Sequence, residues 1–195
     1  VGNHEFDRGR IELLRMQNGG CQQNTPRQPC AVEQFGGAKF AFLSASTRTE
    51  NGKTLFPASA IRTFGKGRAR VKVGIIGLTL KGTPELVAPG GIKGLTFGDE
   101  ADAINVLVPR LKAKGADAVV VLIHQGGSQA SSGNPGGCDG LTGEIRPILD
   151  RLDPSVDVVV SGHTHKSYIC DYGRMNPTRP FLLTSAGHYG TLLTH

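Results

Sequence analysis

No CxxC pair occurs in this chain, although it holds four cysteines, Cys21, Cys30, Cys138 and Cys170. A zinc ribbon built on paired thiolates is therefore a poor reading. No apolar run approaches the roughly 18 residues that cross a bilayer. The longest, ADAVVVLI, has the size of a buried strand, so no membrane span is expected. Internal repeats, low-complexity tails and domain linkers are missing too. The most basic segment, IRTFGKGRARVK, sets Arg62, Lys66, Arg68, Arg70 and Lys72 around a glycine-rich turn. It lacks the aromatic ladder on which bases stack. It reads as a solvated hairpin, and no nucleic-acid polymer is expected as a partner.

What is present suits one globular domain. A length of 195 residues with 38% hydrophobic residues is enough to bury a real core. The 28 glycines predict tight turns and long loops, and the net charge of +6 suits an anionic ligand. Two of the cysteines' surroundings, GGCQQNTPRQPC and GNPGGCDG, are polar loops. An even count in such loops favours disulfides, hence an oxidising compartment, periplasmic or secreted.

Along the chain, FDRGRIELLRMQN reads as a helix with Phe6, Ile11, Leu14 and Leu13 on its apolar side, stopped by Gly19 and Gly20. KFAFLSAS reads as a strand, and AIRTF with VKVGIIGLT as a hairpin. A Gly/Pro-rich loop then runs to about Gly98. GDEADAINVLVPRLKAKG is a helix whose buried face is predicted at Ala103, Val106, Leu107 and Leu111, ended by Gly115. The strand DAVVVLIH, the helix LTGEIRPILDRL and the strand VDVVVSGHTH follow. Short strands KSYICDY, PFLLTSAG and GTLLTH close the chain. Continuous apolar strands alternating with helices predict an α/β layered domain with a sheet covered on both faces.

The histidines carry information by position. His124 ends one apolar strand, His163 and His165 end another, and Asn3 and His4 precede a helix. Ligands of open α/β sheets gather at the carboxyl ends of strands, so independent segments deliver these side chains to one rim. If the segment is extended, His163 and His165 point the same way, with Gly162 allowing a sharp turn before them. Imidazole suits zinc, manganese or iron. These residues predict a metal site without distinguishing a hydrolase from a storage site. His188 and His195 have no such frame and read as structural.

GNHEFD, LIHQGG and SGHTH, in that order, resemble signature blocks of the calcineurin-like metallophosphoesterases. IGLTLKGTP and TSAGHYG resemble the 5'-nucleotidase branch of that family. The resemblance covers nearly the whole chain and implies a layered sandwich of mixed β-sheets flanked by helices. It implies two divalent metal ions, Zn, Mn or similar. Asn3, His124 and His163 match ligands of one ion and His165 a ligand of the other. His4 matches the imidazole beside the phosphate, and Asp7 the carboxylate that orients it. Glu5 reads as helix N-terminal charge, worth a few tenths to about 1 kcal/mol.

The implied activity is hydrolysis of phosphate esters, foremost nucleotides, by a 5'-nucleotidase or 2',3'-cyclic-nucleotide phosphodiesterase. A metal- or anion-binding module without turnover is the alternative. Members of the family also carry an Asp-x-His block and a Gly-Asp block before GNHE, and a C-terminal domain that holds the nucleoside. Neither is found within residues 1–195. The expectation is therefore a partial metallophosphoesterase domain, incomplete at its N-terminus and inactive alone. Cys138 and Cys170 each follow a metal-ligand strand end, which predicts that they pair, leaving Cys21 with Cys30.

Overall fold

The computed structural model describes residues 1–22, 30–130 and 136–194. A 3-10 turn at His4–Phe6 leads into α1 (Gly9–Asn18), which ends where Gly19 takes a φ of 87°. The break at Asp7 and Arg8 resets the helical phase. Phe6 and Leu13 are buried and Leu14 packs beside them, but Ile11, expected inside, is 81% exposed.

Residues 39–46 do not form the expected strand. They cross the face of a neighbouring strand instead. The Ala45 N–H donates to Gly77 O (2.7 Å), and a Cβ on Gly77 would lie 2.5 Å from Leu43 Cβ, so glycine makes room for that leucine. A two-stranded ribbon that the sequence reading lacked, β1 (Thr47–Thr49) with β4 (Leu95–Phe97), lies apart from the main sheet.

The main sheet has six strands in the order β2, β3, β5, β6, β8, β7. The predicted hairpin is there: β2 (Ser59–Phe64) pairs antiparallel with β3 (Val71–Leu78). Then β3, β5 (Ala118–Ile123), β6 (Val158–Val160) and β8 (Leu182–Ala186) run parallel. The far edge is β7 (Ser167–Asp171), antiparallel to β8. The four parallel strands end at one rim.

Between β4 and β5 lies α2 (Glu100–Ala113), whose N-cap Asp99 accepts the Asp102 N–H at 3.1 Å. Its buried stripe is Ala101, Ile104, Val108 and Leu111, with Ala103 and Leu107 half-buried and Val106 exposed. The predicted face is thus rotated by about one residue from the observed one. The third helix, α3, covers only Ile145–Leu149 of the expected LTGEIRPILDRL. Thr142 spends both its backbone groups on Ser128, which leaves them unable to join a helix. Of the expected closing strand GTLLTH, residues 190–194 are not strand and His195 lies outside the described residues.

Val119, Val121, Ile123, Val159 and Leu183 make the buried face of the sheet, in one cluster with residues of α2 and α3. Alternation sends Val120, Leu122, Val158, Val160 and Leu182 to the other side. There Leu122 is 42%, Val160 38% and Leu182 57% exposed. The expected cover on both faces is therefore only partial among the described residues. No described helix is long and apolar enough to cross a membrane. Both expected disulfides are formed, Cys21–Cys30 and Cys138–Cys170.

Candidate active site

The rim where the parallel strands end collects the polar groups. The His124 N–H donates to Leu78 O (3.1 Å), which prolongs the β3–β5 pairing by one residue and fixes the His124 backbone. Its ring then meets Asn3, which is 2% exposed: Nε2 lies 2.8 Å from Asn3 Oδ1. The His163 ring is 5.1 Å from that of His124, centre to centre, at 64°. Three separate segments thus converge, one before α1, one after β5 and one after β6. A Cβ on Gly2 would sit 2.7 Å from His124 Cε1, so only glycine lets the first segment pass the ring.

The loops after β5 and β6 interlock. Gly162 N–H donates to Gln125 O (3.2 Å), and the Thr164 hydroxyl donates to Gly127 O (2.8 Å). A Cβ on Gly126 would fall 2.1 Å from Gly162 O. Here the extended reading of the GHTH segment is corrected. Strand β6 stops at Val160, and His163 and His165 both adopt left-handed backbone, with φ of 68° and 59°. The bend is carried by the histidines, while Gly162 keeps an ordinary φ. Left-handed non-glycine residues cost about 1–3 kcal/mol each and persist where surroundings over-determine them. His165 stays near enough for its charge to act on His163. Its ring stacks on His188 at 5.7 Å, and His188 Nδ1 lies 3.1 Å from His165 O.

His4 and Asp7 form a separate pair, Nδ1 to Oδ2 at 2.9 Å, with both side chains largely open to solvent. Glu5 sits in the first turn of the 3-10 segment His4–Phe6, in keeping with its reading as helix N-terminal charge, and its carboxylate also accepts the Gly2 N–H. It therefore closes the loop that carries Asn3.

Burial pushes the His124 imidazole down to about 4, helped by the charge of His163 and opposed by the Glu5 carboxylate. His163 is lowered by burial first, then by the charges of His165 and His4. Both rings are therefore neutral at pH 7, the state in which imidazole donates a lone pair to a metal. Among the described residues, no three His, Cys, Asp or Glu side chains group so as to hold an ion. What converges is two imidazoles and one amide. The 2.8 Å between Asn3 Oδ1 and His124 Nε2 is about the spacing of neighbouring donors on an ion bonded at roughly 2.0–2.2 Å. The residues present fit one divalent cation with an incomplete ligand set.

A family model described as calcineurin-like phosphoesterase matches residues 1–167. The chain belongs to the calcineurin-like phosphoesterase family. Among relatives of this phosphoesterase chain, the endonuclease YhcR of Bacillus subtilis is 34% identical over 168 residues, which are 85% of this chain and 12% of that protein. A cell wall protein of Listeria monocytogenes is 31% identical over 172 residues, 85% of this chain and 22% of that protein. Among solved structures, a 5'-nucleotidase precursor from Thermus thermophilus superposes with a TM-score of 0.66 at 27% identity, covering 97% of this chain and 32% of the other. The phosphoesterase chain thus spans a third or less of the length of these three proteins.

Gly2, Gly126 and the bond made by Glu5 also shape this site of the phosphoesterase chain, beyond the residues expected from the sequence. The glycines inside the GNHE and HQGG blocks were the available signal, because a glycine beside a ligand implies close backbone approach.

Proposed function

We propose that this chain carries part of the catalytic centre of a metal-dependent phosphate-ester hydrolase that acts on nucleotides, as a 5'-nucleotidase or a 2',3'-cyclic-nucleotide phosphodiesterase. The observation that supports this most is the convergence of Asn3, His124 and His163 from three segments at the strand-end rim, beside the His4–Asp7 pair. Asn3, His124 and His163 would hold one ion. His165 would contribute to a second, with further donors from elsewhere in the full-length protein. The bound ions, Zn, Mn or similar, supply Lewis acidity toward the phosphate. Neither the His124 nor the His163 ring carries a positive charge to lose. His124, whose Nε2–H faces Asn3 Oδ1, would give up that proton or shift it to Nδ1 on taking the ion. Asp7 holds the His4 ring, and protonated His4 delivers its proton to the leaving oxygen, a step worth about 10²–10⁴ in rate.

The whole protein would be periplasmic or secreted, which accords with the two disulfides. It would add a C-terminal domain that holds the nucleoside, and the 195-residue chain alone would turn over little. A second reading is a metal- or anion-binding module without catalysis, which needs only the cluster of Asn3, His124 and His163.

Calorimetry with Mn²⁺ or Zn²⁺, alongside phosphatase assays on the full-length protein, separates the two. Binding lost in His124→Ala and in His163→Ala, together with metal-dependent release of phosphate from nucleotides, is the expected result. Metal binding without any turnover leaves the module reading. Unchanged binding in both variants removes the site. A nucleic-acid substrate arm is included because a relative is named an endonuclease.

A further inference from the structure

His4 has a second neighbourhood. On the side of α1 it forms the edge of a cleft of about 440 Å³ whose walls include Arg8, Leu13, Met16 and Phe42. That volume is within the roughly 300–1,000 Å³ of small-molecule sites. The wall is held in place. The Gln17 side chain donates to Phe40 O (3.0 Å) and accepts the Phe42 N–H, which ties the Phe42 segment to α1. The Phe42 ring is braced edge-on by Phe56, centroids 5.5 Å apart. Leu13 is fully buried, while Met16 stays 42% exposed, its thioether 3.4 Å from Arg15 Nη2.

Charged groups of both signs line the mouth. Glu12 is paired with Arg15 (2.7 Å) and feels the charge of Arg8, Glu5 accepts the Gly2 N–H, and His4 is held by Asp7.

We propose that this cleft is the subsite for the leaving group of the ester, and that it takes a flat aromatic ring. A phosphate beside His4 leaves its alcohol portion facing Met16 and Phe42, with Leu13 beneath them. An aromatic face stacks on Phe42, and the Met16 thioether packs against the ring. The occupant is a phosphate monoester whose alcohol carries an aryl group or a base. The chain's own α1 and Phe42 segment then contribute to substrate choice, in addition to any separate nucleoside-holding domain. This rests on the reading of His4 as the group beside the phosphate.

The test needs no turnover. Metal-loaded full-length protein is titrated calorimetrically with phenylphosphonate and with methylphosphonate, neither of which is hydrolysed. Phenylphosphonate is expected to bind at least about tenfold tighter. Met16→Gln, neutral and at an exposed position, should cut that advantage severalfold while methylphosphonate is little affected, and Met16→Leu should keep it. Phe42→Leu should weaken phenylphosphonate severalfold, with circular dichroism confirming the fold. If methylphosphonate binds as well as phenylphosphonate, or Met16→Gln leaves the phenylphosphonate advantage intact, the subsite falls and the phosphate site stands. If neither phosphonate binds, both readings fall.

Discussion

At residue scale, His4 and Asp7 are the pair whose roles separate most cleanly. His4 ligates nothing in the proposed mechanism, so His4→Ala should lower turnover of the full-length protein by about 10²–10⁴ with metal content unchanged by elemental analysis. Asp7→Asn removes the partner 2.9 Å from the ring and should cost less, on the order of tenfold in kcat. Loss of metal in the His4 variant would make His4 a ligand instead. Two neighbouring glycines give a second contrast. Gly126→Ala would force a Cβ to 2.1 Å from Gly162 O, whereas a Cβ on Gly162 meets nothing within 4 Å. The first substitution should destabilise by about 1–3 kcal/mol, and the second should stay within about 0.5 kcal/mol. Equal denaturant midpoints for the two variants would contradict the interlocking of the loops.

At the scale of elements, α2 depends on one carboxylate. Asp99 caps it and also accepts from both terminal nitrogens of Arg151 at 3.1 and 2.9 Å. Asp99→Ala should cost about 1–2 kcal/mol, mostly the cap, because the ion pair is partly exposed and screened. The Arg151 guanidinium holds the Asp99 carboxyl below its ordinary 3.8. A depressed folded value contributes stability that is whole above the unfolded value and lost as pH falls through the folded one. The gap between wild type and Asp99→Ala should thus be constant near pH 6–7 and shrink below pH 4, read by denaturant unfolding at each pH. The same helix shows how much of the fold was legible. Its span was readable from its acidic start and Gly115, as were the apolar strands β3, β5 and β8. Its phase was not, because half-buried Ala103 and Leu107 flank the true stripe and only packing decides between them. Segment 39–46 and the short β6 depart from the expected strands for a related reason. Their backbone bonds go to Gly77, Thr184 and Gln125, partners far away in sequence. The segments that bear the candidate site were legible by order, whereas the left-handed turn at His163 and His165 was not.

At the scale of the whole molecule, the Cys138–Cys170 bridge spans 32 residues and ties the loop after β5 to the edge strand. Cys138→Ser with Cys170→Ser should lower stability by about 3 kcal/mol in the chain-entropy picture, read as a shift of the denaturant midpoint. An unshifted midpoint would mean that the unfolded chain is already compact there. The exposed residues Leu122, Val160 and Leu182 on one face of the sheet predict that the 195-residue chain alone binds the dye ANS and self-associates. A monodisperse chain without dye binding would mean that this face is satisfied. The two left-handed histidines have their own consequence for the molecule's history. Glycine at 163 or 165 would relax the backbone, and so, less fully, would asparagine. A lineage selected for heat resistance alone would drift toward those residues and arrive at a sturdier, chemically silent protein. Persistence of histidine at both places across such lineages would be a record of a demand other than folding.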